Sequence, residues 1–298
     1  PSILQPFIGY LADHANLRMV IVLAPAVTAV LMSLVGIAPN FLFTAMLLLL
    51  VGISSAGFHA IAPVVAGILS GKNLGRGMSF MMVGGELGRT LGPLIVVTFL
   101  SFFSIHQTPF LMIYGLIVSV LLYVLLKDLP HHRPVAQPAS QSVLGTIRQM
   151  GPVLIPIAAF MALRSFTFSA MTTFLPMFLT EKGASLFLAG ASLTLVEITG
   201  IAGALAGGSL SDVFGRRRTL VASTLLTPPL VLLFLFSSQW VRVPLLLLIG
   251  FFLLSVTPVL MAIVQENYPE NRSLANGSYM LVNFLTNALG LAVIGFAG

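Results

Sequence analysis

The chain has 298 residues, of which 57% are hydrophobic and 7% are charged, and its formal net charge is +6. A soluble domain carries about a quarter charged residues, so this composition excludes a soluble globular protein and indicates several membrane spans. The sequence contains no cysteine, which excludes disulfides and thiolate metal sites.

Apolar runs separated by short polar segments predict an all-α, polytopic membrane protein with nine complete spans. A bilayer core needs about 20 apolar residues per helix, which is close to the length of the shorter runs. Residues 1–10 are predicted as the end of a preceding helix. The predicted spans are 19–37, 41–69, 78–102, 110–126, 152–179, 186–207, 219–237, 244–264 and 278–298.

The segment 127–151 interrupts this pattern. Pro130, Pro134 and Pro138 lie in it among His, Gln and Ser residues, a composition typical of a semi-rigid, solvated linker. Its last part, 142–150, is predicted to form an amphipathic turn or two at the membrane interface. The sequence therefore predicts an N-terminal bundle over 1–126, a cytoplasmic linker over 127–151 and a C-terminal bundle over 152–298.

The basic residues are concentrated in alternate loops. Only Lys182 and Arg242 lie in the opposite loops, and Arg89 and Arg164 lie inside spans. Such a bias places the basic loops in the cytoplasm and explains the net charge without nucleic-acid binding. The other ten of the 14 Lys and Arg residues are Arg18, Lys72, Arg76, Lys127, Arg133, Arg148, Arg216, Arg217, Arg218 and Arg272.

A short polar motif occurs twice, each time between two apolar runs. The second copy, 208–218, reads Gly-Ser-Leu-Ser-Asp-Val-Phe-Gly-Arg-Arg-Arg, and the first copy, 9–18, is degenerate. Further matches, such as Leu74 with Leu274 and Gly77 with Gly277, extend the similarity over 1–101 and 200–298. This repeat indicates two homologous, pseudo-symmetric halves. The matched positions of the motif are Gly9, Leu11, Asp13 and Arg18 in the first copy and Gly208, Leu210, Asp212 and Arg217 in the second.

The motif Gly-x-Leu-x-Asp followed by Arg resembles the signature loop of the major facilitator superfamily. Physically, the glycine permits close helix approach, and the aspartate suits the N-terminus of a neighbouring helix. The resemblance implies a latch that holds the cytoplasmic side shut; a topological anchor is the alternative. In the first copy His14, Asn16 and Leu17 replace the expected Arg, Gly and Arg. The latch residues are Gly9, Asp13, Arg18, Gly208, Asp212, Gly215, Arg216 and Arg217.

The resemblance implies twelve helices in two six-helix bundles. Helix 1, most of helix 2 and helix 12 are then expected to lie outside this sequence. The runs 54–59 and 84–93 are similar to the fosmidomycin-resistance group of exporters. That group carries His-Pro-Glu where this chain has His59, Ala60 and Ile61, so no role is carried over for the missing glutamate.

Four charged residues lie within predicted spans, where each needs a partner or a wet cavity. Arg164 is the first candidate for substrate contact, because a guanidinium fits a carboxylate or phosphonate; a pair with Glu197 is the alternative. Glu86 and Arg89 share a helix face and are expected to form an ion pair. A titrating Glu86 is the alternative, and Glu197 is either a proton carrier or a structural partner.

His59 is a third proton-coupling candidate, four residues after Ser55 on one predicted helix. Its titration range suits proton transfer, whereas a hydrogen bond within the helix is the structural alternative. An intramembrane serine hydrolase is the enzymatic interpretation of this pair, but no Gly-x-Ser-x-Gly turn frames the serine.

Small residues at four-residue spacing predict close helix packing. Gly84, Gly88 and Gly92 before Pro93 form one such face, and Gly203 and Gly207 form another. By resemblance these faces lie at a seam that slides during transport, and static packing is the alternative. Asn283 and Asn287, one turn apart, are a polar stripe with either a substrate or a packing role.

The sequence as a whole predicts a proton-coupled secondary transporter of the inner membrane, a monomer that exports a small polar or anionic drug-like compound. Uptake or exchange of an organic anion is the alternative, and a membrane receptor, scaffold or hydrolase is the alternative from another class. The segment 67–73 lacks the Ser/Thr of a phosphate-binding loop, so we expect neither ATP hydrolysis nor any cofactor or metal.

Overall fold

The computed structural model describes residues 2–13, 17–128 and 143–297, and every regular element in these ranges is helical. The all-α prediction is therefore confirmed. Short 3₁₀ segments occur at Ser2–Leu4, Val35–Ile37 and Ile105–Leu111. The α-helices are α1 (Gln5–Asp13), α2 (Leu17–Leu34), α3 (Phe41–Ser70), α4 (Leu74–Phe102), α5 (Met112–Leu125), α6 (Val143–Gln149), α7 (Gly151–Glu181), α8 (Leu186–Phe214), α9 (Arg216–Phe236), α10 (Gln239–Asn267) and α11 (Arg272–Ala297).

Nine helical segments in the described ranges are long and apolar enough to cross a membrane. They correspond to α2–α5 and α7–α11, with some spans extended by a flanking 3₁₀ turn, as the apolar runs predict. A helix satisfies all of its internal backbone hydrogen bonds, which the bilayer core requires. The spans differ in packing: 67% of the most apolar window of α10 is buried, whereas none of that of α4 is.

Several helices extend further into polar sequence than predicted. The predicted loop 70–77 is reduced to a short turn around Gly71. Gly71 has a φ of 55°, a left-handed conformation that glycine adopts without strain. The polar motif 208–218, which lies between two predicted spans, is helical and is interrupted only at Gly215. Hydropathy detects only the apolar part of a helix, so polar terminal turns escape it. The short helix predicted within 142–150 is confirmed as α6.

The chain divides into two compact units. Unit 1 comprises Pro1–Leu69, Leu87–Gly151 and Tyr268–Leu281, and unit 2 comprises Ser70–Glu86, Pro152–Asn267 and Val282–Gly298. Two helices, α4 and α11, therefore contribute one part to each unit. The predicted linker lies largely outside the described residues, and the predicted domain boundaries stay a prediction.

Unit 1 is organised around the packing of α2 on α5. Gly115 brings α5 against the backbone of α2 at Pro25, where a side chain would not fit. Ser119 on α5 accepts a hydrogen bond from the backbone N–H of Ala26 at 2.9 Å. At the other end of this helix pair, Arg18 donates to the carbonyl oxygen of Tyr123 at 2.9 Å. These contacts fix the two helices along their length.

Unit 2 has an apolar core formed by α7, α8, α9 and α10. Leu175, Val196, Phe234 and Ile249 represent the four helices in this cluster. Between α8 and α10 the backbones touch: a Cβ atom at Gly203 would lie less than 3.0 Å from the carbonyl group of Phe251. Small residues thus replace side-chain packing with backbone contact along this pair.

Candidate functional site

In unit 2, the carboxylate of Asp212 caps the N-terminus of α4. One oxygen accepts the backbone N–H of Gly75 at 2.9 Å, and the other accepts that of Arg76 at 2.8 Å. These are the second and third residues of α4, whose N–H groups have no partner within the helix and carry the positive end of its dipole. This is the position that the motif predicts for the aspartate.

Two glycines let α8 approach α4 closely enough for this cap. A Cβ atom at Gly208 would lie within 3.0 Å of the carbonyl group of Gly75, and one at Gly75 would meet the carbonyl oxygen of Gly208. Because both positions lack a side chain, the two backbones can cross in direct contact. The glycine of the motif is therefore required by sterics as well as by sequence pattern.

An ion-pair network braces the Asp212 cap. Arg216 lies 2.6 Å from Asp212 and 2.6 Å from Glu266 at the end of α10. Gly215, with φ 94°, ends α8 and lets α9 begin at Arg216, which directs the guanidinium back toward the aspartate. Arg217 is exposed. Glu266 was not predicted, because a carboxylate about 50 residues downstream of the motif carries no spacing signal.

Unit 1 contains the same arrangement. The carboxylate of Asp13, which is fully buried, accepts the backbone N–H groups of Ser273 at 2.9 Å and Leu274 at 3.0 Å. These are the second and third residues of α11. A Cβ atom at Gly9 would lie within 3.0 Å of the backbone of Ser273. Each half of the repeat thus uses its aspartate to cap a helix of its own unit.

The contacts correct one detail of the repeat. The alignment of Leu74 with Leu274 is shifted, because Leu274 occupies the capped position that Arg76 occupies in the other half. His14 and Asn16 lie outside the described residues, and so does the side chain of Leu17. Arg18 bonds to α5, as given above. The action of these residues as a latch stays a prediction.

The three predicted substrate-binding residues lie on neighbouring helices of unit 2. Arg164, half-buried at the middle of α7, donates to the carbonyl oxygen of Leu253 on α10. Asn283 and Asn287 are half-buried on α11, and the amide of Asn287 donates to that of Asn283 at 3.3 Å. A Cβ atom at Gly290 would touch Ser165, so α7 and α11 are in contact.

The acidic candidates occupy different environments. Glu197 on α8 is exposed and forms neither an ion pair nor a hydrogen bond with any described residue. The alternative pairing of Arg164 with Glu197 is therefore absent from this structure. Glu86 on α4 is half-buried. The side chain of Arg89 lies outside the described residues, so the predicted Glu86–Arg89 ion pair stays a prediction.

His59 lies half-buried on α3 in unit 1. Its ring packs edge-on against Phe58, with 6.1 Å between the ring centroids. Within the described residues no hydrogen bond joins it to Ser55, so the expected bond within the helix is not formed. The dyad required by the hydrolase interpretation is not formed either.

Asn276, a buried amide on α11 in unit 1, was not predicted either. Its nitrogen donates to the carbonyl oxygens of His59 at 2.8 Å and Ala60 at 3.2 Å on α3. The His59 carbonyl is the one that Pro63 leaves without an intrahelical donor, because proline has no N–H. Asn276 therefore repairs the hydrogen bond that the proline removes.

Replacing Asn276 with alanine is expected to lower the free energy of unfolding by about 1–2 kcal/mol, because the His59 carbonyl loses its donor in a buried site. In a Pro63→Ala background, the alanine N–H can bond to this carbonyl, so the same substitution should cost less than half as much. Thermal unfolding of the single and double variants measures the coupling. Additive effects of the two substitutions would contradict this role.

The predicted packing glycines fall into two groups. Gly203 and Gly207 on α8 lie against the backbone of α10, at Phe251 and Ser255. On α4 a Cβ atom at Gly84, Gly88 or Gly92 would have no described heavy atom within 4 Å, and a packing role for these glycines stays a prediction. Small residues permit close approach but do not cause it, and these glycines lie before Pro93 in the same helix.

Residues 1–291 match the family model of the Major Facilitator Superfamily. The chain is 25% identical to the Fosmidomycin resistance protein of Escherichia coli K12, over 99% of this chain and 73% of that protein. It is also 25% identical to the uncharacterized MFS-type transporter YfnC of Bacillus subtilis 168, over 99% of this chain and 74% of that protein.

Among solved structures, the chain is similar to FucP, the fucose:proton symporter of Escherichia coli. The TM-score is 0.78 with 16% identity, and the match covers 99% of this chain and 80% of that one. At this identity the likeness shows the fold. The relatives and the structural neighbours are transporters and not enzymes. The chain therefore belongs to the Major Facilitator Superfamily and is a multi-pass membrane transporter.

Proposed function

We propose that this transporter is a proton-coupled exporter of a small polar or anionic drug-like compound, working by alternating access in the inner membrane. The named relative that supports export is the Fosmidomycin resistance protein, which aligns with 99% of this chain. The proposed orientation places the Arg-rich ends of the helices, including Arg216, in the cytoplasm. We further propose that the protein works as a monomer with two bundles, over 1–126 and 152–298.

The position of Arg164 carries the proposal for the substrate. A guanidinium within a span is costly and needs a partner or a wet cavity, so such residues mark substrate and ion paths. Arg164 lies at the middle of α7. The Leu253 carbonyl holds one end of the guanidinium on α10. The neighbouring α11 supplies Asn283 and Asn287, whose amides can orient the polar groups of a substrate. A carboxylate or phosphonate matches this set of donors.

Proton coupling requires a group that changes its charge during the transport cycle. Glu197 is exposed within a membrane-spanning helix, Glu86 is half-buried and His59 is half-buried. Of these, Glu197 is the strongest candidate, because an exposed carboxylate in a span can exchange protons without breaking an ion pair. Protonation would remove its charge before the surroundings become apolar.

The two aspartate caps support the proposed cytoplasmic latch. Asp13 and Asp212 each hold the N-terminus of a helix that contributes to both units, α11 and α4 respectively. A transport step that moves α4 away from α8, or α11 away from α1, breaks the corresponding cap. The interaction of the aspartate with the helix dipole then favours re-formation of the cap. This makes each cap a two-state contact of the kind that alternating access needs.

Arg164→Gln is expected to reduce proton-driven transport about 10- to 100-fold, since charge-assisted hydrogen bonds contribute about 1.5–3 kcal/mol. The measurement is flux of a labelled phosphonate into inside-out proteoliposomes, with and without a pH gradient. Arg242→Gln is the matched control, because Arg242 lies over the ring of Phe178 near the start of α10. Cells expressing the protein should also show raised resistance to fosmidomycin-like compounds.

Three outcomes would contradict parts of this proposal. Full transport by Arg164→Gln would remove Arg164 from the substrate site. Equal flux with and without a pH gradient would exclude proton coupling. Accumulation of labelled anion in cells, with unchanged drug resistance, would replace export by uptake.

A further inference from the structure

A groove of about 480 Å³ opens on unit 2 between the first turns of α4 and the last turns of α8. Asn73 and Arg76 at the start of α4 and Asp212 at the end of α8 supply polar groups, and Phe80 and Leu205, further into the two helices, supply apolar surface. Both helices are membrane spans, and the side chain of Phe80 is 58% exposed while that of Leu205 is half-buried. The groove is therefore polar at its outer end and apolar along the membrane-embedded part.

The charge of the groove is positive, although Asp212 lines it. Both oxygens of Asp212 accept backbone N–H groups of α4, and Arg216 neutralises the carboxylate at 2.6 Å. Arg76, by contrast, is exposed and forms no ion pair with any described residue. Its guanidinium lies 5.7 Å from the centroid of the Phe80 ring, at the junction of the polar and apolar parts. Further exposed cations at this end of unit 2 are Lys72, Arg217 and Arg218.

We propose that this groove binds one anionic phospholipid, with the phosphate on Arg76 and an acyl chain along Phe80 and Leu205. The groove changes from polar at the membrane surface to apolar deeper in the membrane. A phospholipid, with its head group outside and its acyl chains inside, has the same order. Basic pockets between transmembrane helices are suited to anionic head groups. A small soluble anion would not contact the apolar part of the groove, whereas an acyl chain would. The bound phosphate would lie beside the Asp212 cap, which links lipid composition to the stability of that cap.

The test is native mass spectrometry of the full chain released from detergent micelles, titrated with phosphatidylglycerol or phosphatidylcholine. Arg76→Gln should weaken phosphatidylglycerol binding about fivefold, which is the contribution of one basic side chain near an anionic surface. Its backbone N–H, which Asp212 uses, is retained. The matched control Arg218→Gln removes an exposed cation outside the groove and should change binding less than twofold.

A second variant separates the groove from general charge. Ser209→Trp fills the groove without altering charge, and it should lower binding of phosphatidylglycerol while the thermal unfolding midpoint stays within a few degrees of the parent protein. Equal losses in Arg76→Gln and Arg218→Gln, or full binding in Ser209→Trp, would overturn the proposal. Displacement of the lipid by millimolar inorganic phosphate would instead identify a soluble-anion site and would overturn it as well.

Discussion

Gly203→Ala should strongly destabilise the protein, although it adds only a single methyl group. The new Cβ atom would lie less than 3.0 Å from the carbonyl oxygen, carbonyl carbon and Cα of Phe251. All three are backbone atoms of α10, so no side-chain rotation can relieve the clash and the two helices must separate. Overpacking costs about 1–3 kcal/mol where side chains can adjust, and we expect the upper end of this range or more.

The control for Gly203 lies on α4. Gly84→Ala adds the same methyl group where no described heavy atom lies within 4 Å. Because alanine is the better helix former, this variant should be more stable by about 0.5–1 kcal/mol. Thermal unfolding midpoints in detergent and monodispersity on gel filtration compare the two. Equal destabilisation by both alanines would show that backbone contact at Gly203 is not what holds α8 to α10.

Asp212→Ala is expected to release the first turn of α4 and to lower stability by about 3 kcal/mol, on the scale of hydrogen bonds to a charged group near a helix dipole. It leaves the backbone N–H groups of Gly75 and Arg76 without their acceptor. It also removes the carboxylate with which Arg216 pairs within the motif. Hydrogen exchange at the start of α4 should accelerate before exchange elsewhere in unit 2. Proton-driven flux should fall with it, since the cap is part of the proposed latch.

Glu266→Gln distinguishes the cap from the ion pair that braces it. It removes the second carboxylate of Arg216 but leaves both hydrogen bonds of the Asp212 cap in place. The side chain of Glu266 is 43% exposed, and exposed ion pairs contribute about 0–1 kcal/mol. Loss of stability as large as that of Asp212→Ala would assign the effect to the ion pair and would refute the capping explanation.

The features predicted from sequence share one property: each depends on residues close together in the chain. Apolar runs locate the spans because length and hydropathy are local quantities. The spacing of Gly208 and Asp212 predicts a close approach followed by a capped helix, and the structure shows both. The repeat adds the same expectation for Gly9 and Asp13.

The contacts that escaped prediction join residues far apart in sequence through the backbone. Asn276 bonds to a carbonyl of α3, and Arg164 bonds to a carbonyl of α10. A carbonyl group is present at every position, so the identity of the accepting residue gives no signal. Proline is the exception: Pro63 marks a carbonyl without a donor, and that mark could have directed a search for the donor.

The open glycines of α4 have a mechanical consequence. Gly84, Gly85 and Gly88 flank the point, after Glu86, where this helix leaves unit 2 and continues in unit 1. Curving a helix elsewhere requires neighbouring side chains to be repacked, but here only backbone torsions change. We therefore expect α4 to bend most easily in this turn, and alanines at these glycines should make the helix stiffer there.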